Sequence, residues 1–171
     1  MEYFDLCSFG LVKKGNYGTT VKIAMDKLNW SILKLLQQNA RLSYVEIGRD
    51  VGLSAPAVAE RISRMEERGL IERYRAELNL TEIGLPLTAF VTLKVYSGKL
   101  NAFLALVPDL PQVLECHRVT GNECLVMKCA MKNPLHLERL INKLLEYGEP
   151  TTSVILSSPV KNKVFYDNEQ L

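Results

Sequence analysis

With 171 residues, 19.3 kDa, 47% hydrophobic and 23% charged residues, the chain has the composition of an ordinary globular protein of one or two small domains. Disorder, collagen-like repeats and low-complexity structure are excluded. Lys+Arg 21 against Asp+Glu 19 leaves a net charge of only +2, so any nucleic-acid binding must work through a local stripe and an oligomer rather than through total charge.

No region departs from that balance: residues 1–24 carry 3 basic and 2 acidic groups, residues 25–80 carry 9 and 8, and residues 81–171 carry 9 and 9. Apolar runs such as Ala102–Val107 fall far short of the ~20 residues of a membrane span, so no membrane partner is expected. Cys7, Cys116, Cys124 and Cys129 form no CxxC pair and no Cys/His cluster, so neither a metal site nor a cofactor is expected. Glu2 and Asp5 precede any basic group, which argues against a secretory signal and for a cytoplasmic chain with reduced thiols.

In chain order, residues 1–24 read as an N-terminal extension. Gly10, Gly15 and Gly18 break it, Thr19–Ile23 makes one short strand, and Met25 reads as an alternative start. Asp26 N-caps a first helix whose buried stripe is Leu28, Ile32, Leu35 and Leu36. Ser43-Tyr44-Val45-Glu46 is a capping box opening a second, short helix that stops at Gly52. Ser54 caps a third helix with Pro56 in its first turn. Gly69 ends that helix, Leu70 is placed for the hydrophobic contact of the cap, and Ile71–Arg75 reads as a short strand.

Ala76–Pro86 reads as a linker, after which the period changes to two. Leu87, Ala89, Val91, Leu93 and Val95 alternate with Thr88, Phe90, Thr92, Lys94 and Tyr96, which predicts a strand. Lys99–Val107 predicts a short helix ended by Pro108. Gln112–Val119 and Glu123–Ala130 predict two strands around a Gly121-Asn122 turn. Asn133 and Pro134 open a helix with an apolar face of Leu137, Leu140, Ile141, Leu144 and Leu145, closed by Gly148. Thr151–Ser158 is the last strand, and Phe165 and Tyr166 are candidates to anchor a tail over 160–171. The order βαββαβ is that of a ferredoxin-like unit spanning 87–159. Leu125 and Met127 fall on one sheet face and Val126 and Ala130 on the other, so the face away from the helices is expected to need a partner.

The most informative stretch is Ser43–Arg68. Gly48 allows two helices to approach, Gly52 supplies a left-handed turn, and Val58 locks the next helix down, which is the pattern of a helix-turn-helix. Val58, Ile62 and Met65 form the buried side of the third helix. Arg61, Arg64 and Arg68 share another face that can present guanidinium groups to phosphates and guanine edges. The alternative is a solvated stripe pairing with Glu60, Glu66 and Glu67. Arg73 and Arg75 on the following strand read as a wing against a phosphate backbone.

Asp26-Lys27-Leu28-Asn29-Trp30-Ser31-Ile32-Leu33, Asn39-Ala40-Arg41-Leu42-Ser43, Val51-Gly52-Leu53-Ser54, Val58-Ala59-Glu60-Arg61-Ile62 and Val119-Thr120-Gly121 together resemble the Lrp/AsnC (feast/famine) transcriptional regulators, over about Met25 to Pro159. The resemblance implies an α+β chain: a winged helix-turn-helix over 25–75, a hinge over 76–86, and a ferredoxin-like RAM domain over 87–159. It further implies homodimers built by pairing RAM sheets, often four dimers in an octameric ring. A small-molecule effector, usually an amino acid, would lie between dimers near Thr120-Gly121-Asn122-Glu123-Cys124. The family commonly has acidic residues where this chain has Asn122 and Cys124, so a weak response or none to leucine-like amino acids is expected, and a neutral or less polar ligand or none, with Glu123 aimed at the other face of its strand.

The reading is then a sequence-specific regulator of double-stranded DNA, not an enzyme. Ser54, Ala55, Ala57, Arg61 and Arg64 are the candidates for groove contact; Ser43, Tyr44, Arg73 and Arg75 are those for phosphate. Removal of Arg61 or Arg64 is expected to spare the fold, because both lie off the buried face. One rival is a DNA-wrapping architectural protein without an effector. Another is a tetrapyrrole-carboxylate decarboxylase of the same architecture, for which only His117, His136, Arg118 and Arg139 are available in the second half. His117 and His136 have no carboxylate partner in sequence and read as surface groups; Cys116 and Cys129 are placed to sit opposite each other on the hairpin.

Overall fold

The computed structural model describes residues 25–121 and 123–165. The extension over 1–24 with its expected strand and Cys7, the turn residue Asn122, and Tyr166 lie outside the described residues. Two compact units are formed, residues 25–75 joined by 163–165, and residues 76–162.

The first unit is three helices, α1 (Lys27–Gln38), α2 (Tyr44–Val51) and α3 (Ala55–Glu67). Each begins at the side chain the sequence offers as a cap: Asp26 accepts from the Asn29 N–H, Ser43 from Glu46 and Ser54 from Ala57. Ile32, Ile47, Val58, Ile62 and Met65 make the core, with Leu33, Leu35, Leu36, Leu42, Val51, Leu53 and Ile71 packed around it. Between α2 and α3 the backbone of Gly52 is left-handed, φ 72°, and the Leu53 N–H returns to the Gly48 carbonyl at 2.9 Å.

The end of α3 closes as a Schellman turn. Leu70 N–H donates to Met65 O at 2.9 Å and Gly69 N–H to Glu66 O at 2.8 Å, with Gly69 at φ 69°. The apolar contact that accompanies the cap is made by Ile71, not Leu70, which is 40% exposed. Ile71–Arg75 is not a strand. Among the described residues nothing pairs with it, and an extended segment without a ladder partner is only coil. Tyr74 is instead tied back to α3 by its hydroxyl, which donates to Glu66 Oε1 at 2.9 Å. Burial, then the Glu66 carboxylate, push the Tyr74 phenol up to about 12. Phe165 reaches this unit through its backbone: the Gln37 amide donates to its carbonyl and accepts from its N–H, both at 2.8 Å. The ring itself is 68% exposed, so the expected aromatic anchor is a main-chain one.

The second unit is β1 (Leu87–Val95), α4 (Leu100–Leu106), β2 (Val113–Arg118), β3 (Leu125–Met131), α5 (Pro134–Leu144) and β4 (Gly148–Val154). The sheet order is β2-β3-β1-β4, antiparallel throughout. Ala89, Val91 and Leu93 with Leu125, Met127, Cys129 and Met131 form the face that α4 and α5 cover through Phe103, Leu140 and Leu144. The expected end of the last helix is displaced. Gly148 is not a helix stop but the first residue of β4, opposite Val95. A Cβ there would stand 2.3 Å from the Lys94 carbonyl oxygen, so the strands approach where only glycine fits. The last strand therefore runs Gly148–Val154 rather than Thr151–Ser158. Leu145 lies outside the α5 stripe and is half exposed.

The open face of the sheet is more polar than the alternation suggests. Paired residues share a face, which places Thr92, Lys94, Glu149, Thr151 and Ser153 beside Phe90 and Val126. Lys128 and Glu115 pair across it at 3.6 Å. His117 does have a carboxylate partner, Glu115, two residues away on the same strand face at 3.5 Å. Cys116 is opposite Met127 and Cys129 opposite Val113, so the two thiols are diagonal rather than paired. Burial pushes the Cys129 thiol up to about 11, with Cys116 adding to it, and Cys116 is raised by burial as well. Both are free.

Candidate nucleic-acid interface

Of the sequence-derived candidates, Ser43, Tyr44, Ser54, Ala55, Ala57, Arg61 and Arg64 lie on α2 and α3 with their caps, and Arg73 and Arg75 lie beyond α3. Ser54 is the N-cap of α3 and its hydroxyl accepts from Ala57 N–H at 3.4 Å. Ala55 and Ala57 in the first turn carry only methyl groups, so backbone and helix end can come close to a groove floor. Ser43 and Tyr44 begin α2, with the Tyr44 ring exposed. Arg73 and Arg75 are exposed on the unpaired segment after α3.

The three arginines of the stripe turn out to be in different states. Arg64 is mostly exposed and pairs with Glu60 one turn back, a surface contact worth about 0.3–0.5 kcal/mol and readily exchanged for another anion. Arg68 is the exposed C-cap of α3. Arg61 is occupied. Its Nη1 donates to Asp26 Oδ2 at 2.7 Å and to Asn29 Oδ1 at 2.8 Å, and only 29% of its side chain is exposed. Asn29 is itself buried. The Asp26 carboxyl lies below the usual range, held there first by the Asn29 N–H and then by Arg61. Arg61 is therefore not the free surface group that the spacing suggests, and its removal is expected to weaken the fold by stripping the partner from a buried amide oxygen. One signal for this was in the sequence: Asn29, Ile32, Leu33 and Leu36 fall at i, i+3, i+4 and i+7, so a polar residue occupies the buried stripe and needs a donor.

The capping box of α2 is complete. The Ser43 N–H and hydroxyl donate to Glu46 Oε2 at 2.7 and 2.6 Å, and the Glu46 N–H returns to Ser43 Oγ at 3.3 Å. Ser43's hydrogen-bonding capacity is thus largely spent inside the fold. These bonds hold the Glu46 carboxyl below its usual 4.5, the Ser43 hydroxyl contributing most. A depressed acid stabilises the fold above its unfolded pKa, and that contribution disappears as pH falls through the folded value. Glu46→Gln keeps the box but not the charge. Its melting temperature is expected to fall less than that of the wild type as pH drops below 4.5, measured by circular dichroism; parallel curves would contradict the assignment.

In the second unit the expected effector loop is short. The Val119 N–H closes it on Cys124 O at 3.1 Å, and Gly121 sits at φ 115° with open space where a Cβ would be. Thr120 and Gly121 are exposed at the tip, while Cys124 packs against the core of the sheet. β3 begins only at Leu125, so Glu123 is a loop residue and not a strand residue facing the other side. Among the described residues no group of His, Cys, Asp or Glu is arranged to hold a metal ion, and no helix is long and apolar enough to cross a membrane.

A capped helix pair around a left-handed glycine, followed by a separate βαββαβ unit, defines a helix-turn-helix regulator of transcription. Comparison with known proteins agrees over both units. Residues 25–66 match the AsnC-type helix-turn-helix domain and residues 88–165 the Lrp/AsnC ligand-binding domain. The chain belongs to the Lrp/AsnC family of transcriptional regulators. It is 38% identical to YezC, an HTH-type transcriptional regulator of Bacillus subtilis, over 78% of this chain and 95% of that one. Among solved structures it is similar to Bacillus subtilis LrpC, with 30% identity, a TM-score of 0.78 and coverage of 82% of this chain and 100% of that one. It is also similar to a Neisseria meningitidis transcriptional regulator in complex with L-Met, with 25% identity, a TM-score of 0.79 and coverage of 86% and 99%.

Proposed function

We propose that this regulator reads double-stranded DNA with the start of α3, through Ser54, Ala55, Ala57 and Arg64, and holds phosphates with Tyr44, Arg73 and Arg75, with Arg68 added to that set and Ser43 reserved for the cap of α2. The observation that carries the reading is the division of α3 into a fully buried side, Val58, Ile62 and Met65, and an open side that begins with small residues and ends in exposed guanidinium groups. The domain boundaries are 25–75, 76–86 and 87–159, with tails on either side. The protein works in the cytoplasm as homodimers assembled into an octamer, without catalytic activity. Near-neutral charge supports this, since two weak half-site interactions must add to give useful affinity.

The loop Thr120, Gly121, Asn122, Glu123 and Cys124 is the proposed effector site. Asn122 carries no charge and Cys124 packs against the core of the sheet, so acids are missing from both positions where the family commonly has them, and a neutral or less polar ligand, or none, suits the loop better than a free amino acid. A free amino acid would have to place its ammonium group on Glu123, the carboxylate of the loop.

The test is a shift assay on operator DNA obtained by genomic footprinting, with amino acids titrated in and the mass in solution followed by light scattering. Arg64→Ala is expected to weaken operator binding by about 1–3 kcal/mol and leave the melting temperature near that of the wild type. Wild-type affinity in that variant would refute the assignment of α3. Tight, saturable leucine binding would refute the ligand class, and a 19.3 kDa particle at micromolar concentration would refute the assembly.

A further inference from the structure

Arg61 occupies a position from which a helix-turn-helix would be expected to offer a side chain to DNA, yet its Nη1 is committed within the fold. We infer that Arg61, Asp26 and Asn29 form a positioning lock that sets how α3 is presented to DNA, with Arg61 acting through Asp26 and Asn29 rather than by touching the duplex. The inference rests on α3 being the helix that reads DNA.

The two hydrogens of Nη1 are used one each, on Asp26 Oδ2 and Asn29 Oδ1. Both acceptors are fixed. Asp26 Oδ1 is held by the Asn29 N–H at 2.7 Å as the cap of α1, and the Asn29 side chain is buried. The anchor on α1 is therefore rigid, and it lies at the first turn of that helix. The tether on α3 lies midway along it, between the small residues at its start and Arg64 and Arg68 toward its end. A guanidinium whose Nη1 is held between two fixed acceptors restrains rotation of α3 about its own axis, which the apolar contacts of Val58, Ile62 and Met65 resist less sharply because packing is not directional. Rotation about that axis is the motion that would swing Ala57 and Arg64 away from a groove. The other charges facing the cleft are Glu60, Arg64 and Arg68. Glu60 is engaged with Arg64, which leaves Asp26 to Arg61.

The sign of one substitution separates positioning from contact. Asp26→Ser keeps a good N-cap but cannot reach Arg61. If Arg61 positions α3, Asp26→Ser and Arg61→Ala each lower affinity for operator DNA about tenfold, and the double variant is no worse than either alone, as for residues acting as one unit. Affinity for random-sequence DNA and the slope of log K against log salt stay as in the wild type, which general loss of folded protein would not produce. If instead Arg61 contacts DNA, Asp26→Ser frees it and binds operator as tightly as the wild type or more so. Arg61→Ala would then lower the salt slope by about one. Either of those two results overturns the proposal. Should Arg61→Ala not fold, Asp26→Ser alone decides: a loss of specificity for operator over random DNA supports the lock, and unchanged or tighter operator binding overturns it.

Discussion

Gly48→Ala is expected to abolish operator binding and to destabilise the helix-turn-helix by about 2–3 kcal/mol, the upper part of the usual range for overpacking. A Cβ on Gly48 would stand 2.4 Å from the carbonyl oxygen of Leu53 and 3.5 Å from its carbon. The neighbour is backbone in the turn itself, so it can yield only if the turn moves, and the 2.9 Å bond from Leu53 N–H to Gly48 O would move with it. Alanine in place of glycine favours a helix by about 1 kcal/mol. That gain is the smaller effect here, so the net change is a loss. Thermal unfolding followed by the fluorescence of Trp30, the only tryptophan of the chain, checks it, because Trp30 lies on α1 of the same unit. A variant melting at or above the wild-type temperature would show that the turn relaxes at little expense.

Phe103→Ala is expected to be the most damaging single change in the second unit, at about 3–5 kcal/mol. Phe103 is fully buried and its ring lies 5.4 Å from that of Tyr147, tilted by 53°. α4 has seven residues and no side-chain cap, far below the length at which a helix holds itself, so its attachment to the sheet depends on this ring. A cost of that size is a large fraction of the stability of a domain. Urea unfolding of the full chain by circular dichroism should show the loss, while the transition seen by Trp30 fluorescence moves less. A change below about 1 kcal/mol would mean that the surrounding leucines collapse into the space.

The strongest local signals were legible in the chain. Asp26, Ser43 and Ser54 each cap the helix they precede, because capping is a contact within three residues and needs nothing from elsewhere. The period of two over 87–95 gave the right burial for β1 for the same reason, since the pleat itself sets the alternation. Where a partner decides, the local reading failed. Ile71–Arg75 has strand composition but no ladder among the described residues, and Gly148, a helix stop by its place in the sequence, is a strand residue because Lys94 lies against it.

The candidate interface divides in the same way. The helix-turn-helix and its small-residue start follow from spacing along the chain, and so does the βαββαβ order that follows them. The fate of each arginine does not. Arg61, Arg64 and Arg68 fall on one face within about 60° of one another on a helical wheel, with Arg61 nearest the buried arc, and only the folded unit shows what each meets. It brings Asp26 and Asn29, more than thirty residues away in sequence, within hydrogen-bond distance of Arg61, while Arg64 pairs with Glu60 on its own helix. Helical periodicity says which face a side chain shares; what stands opposite that face is set by packing between elements, and that is why the tertiary structure was needed to separate an arginine tied to another helix from one left exposed on its own.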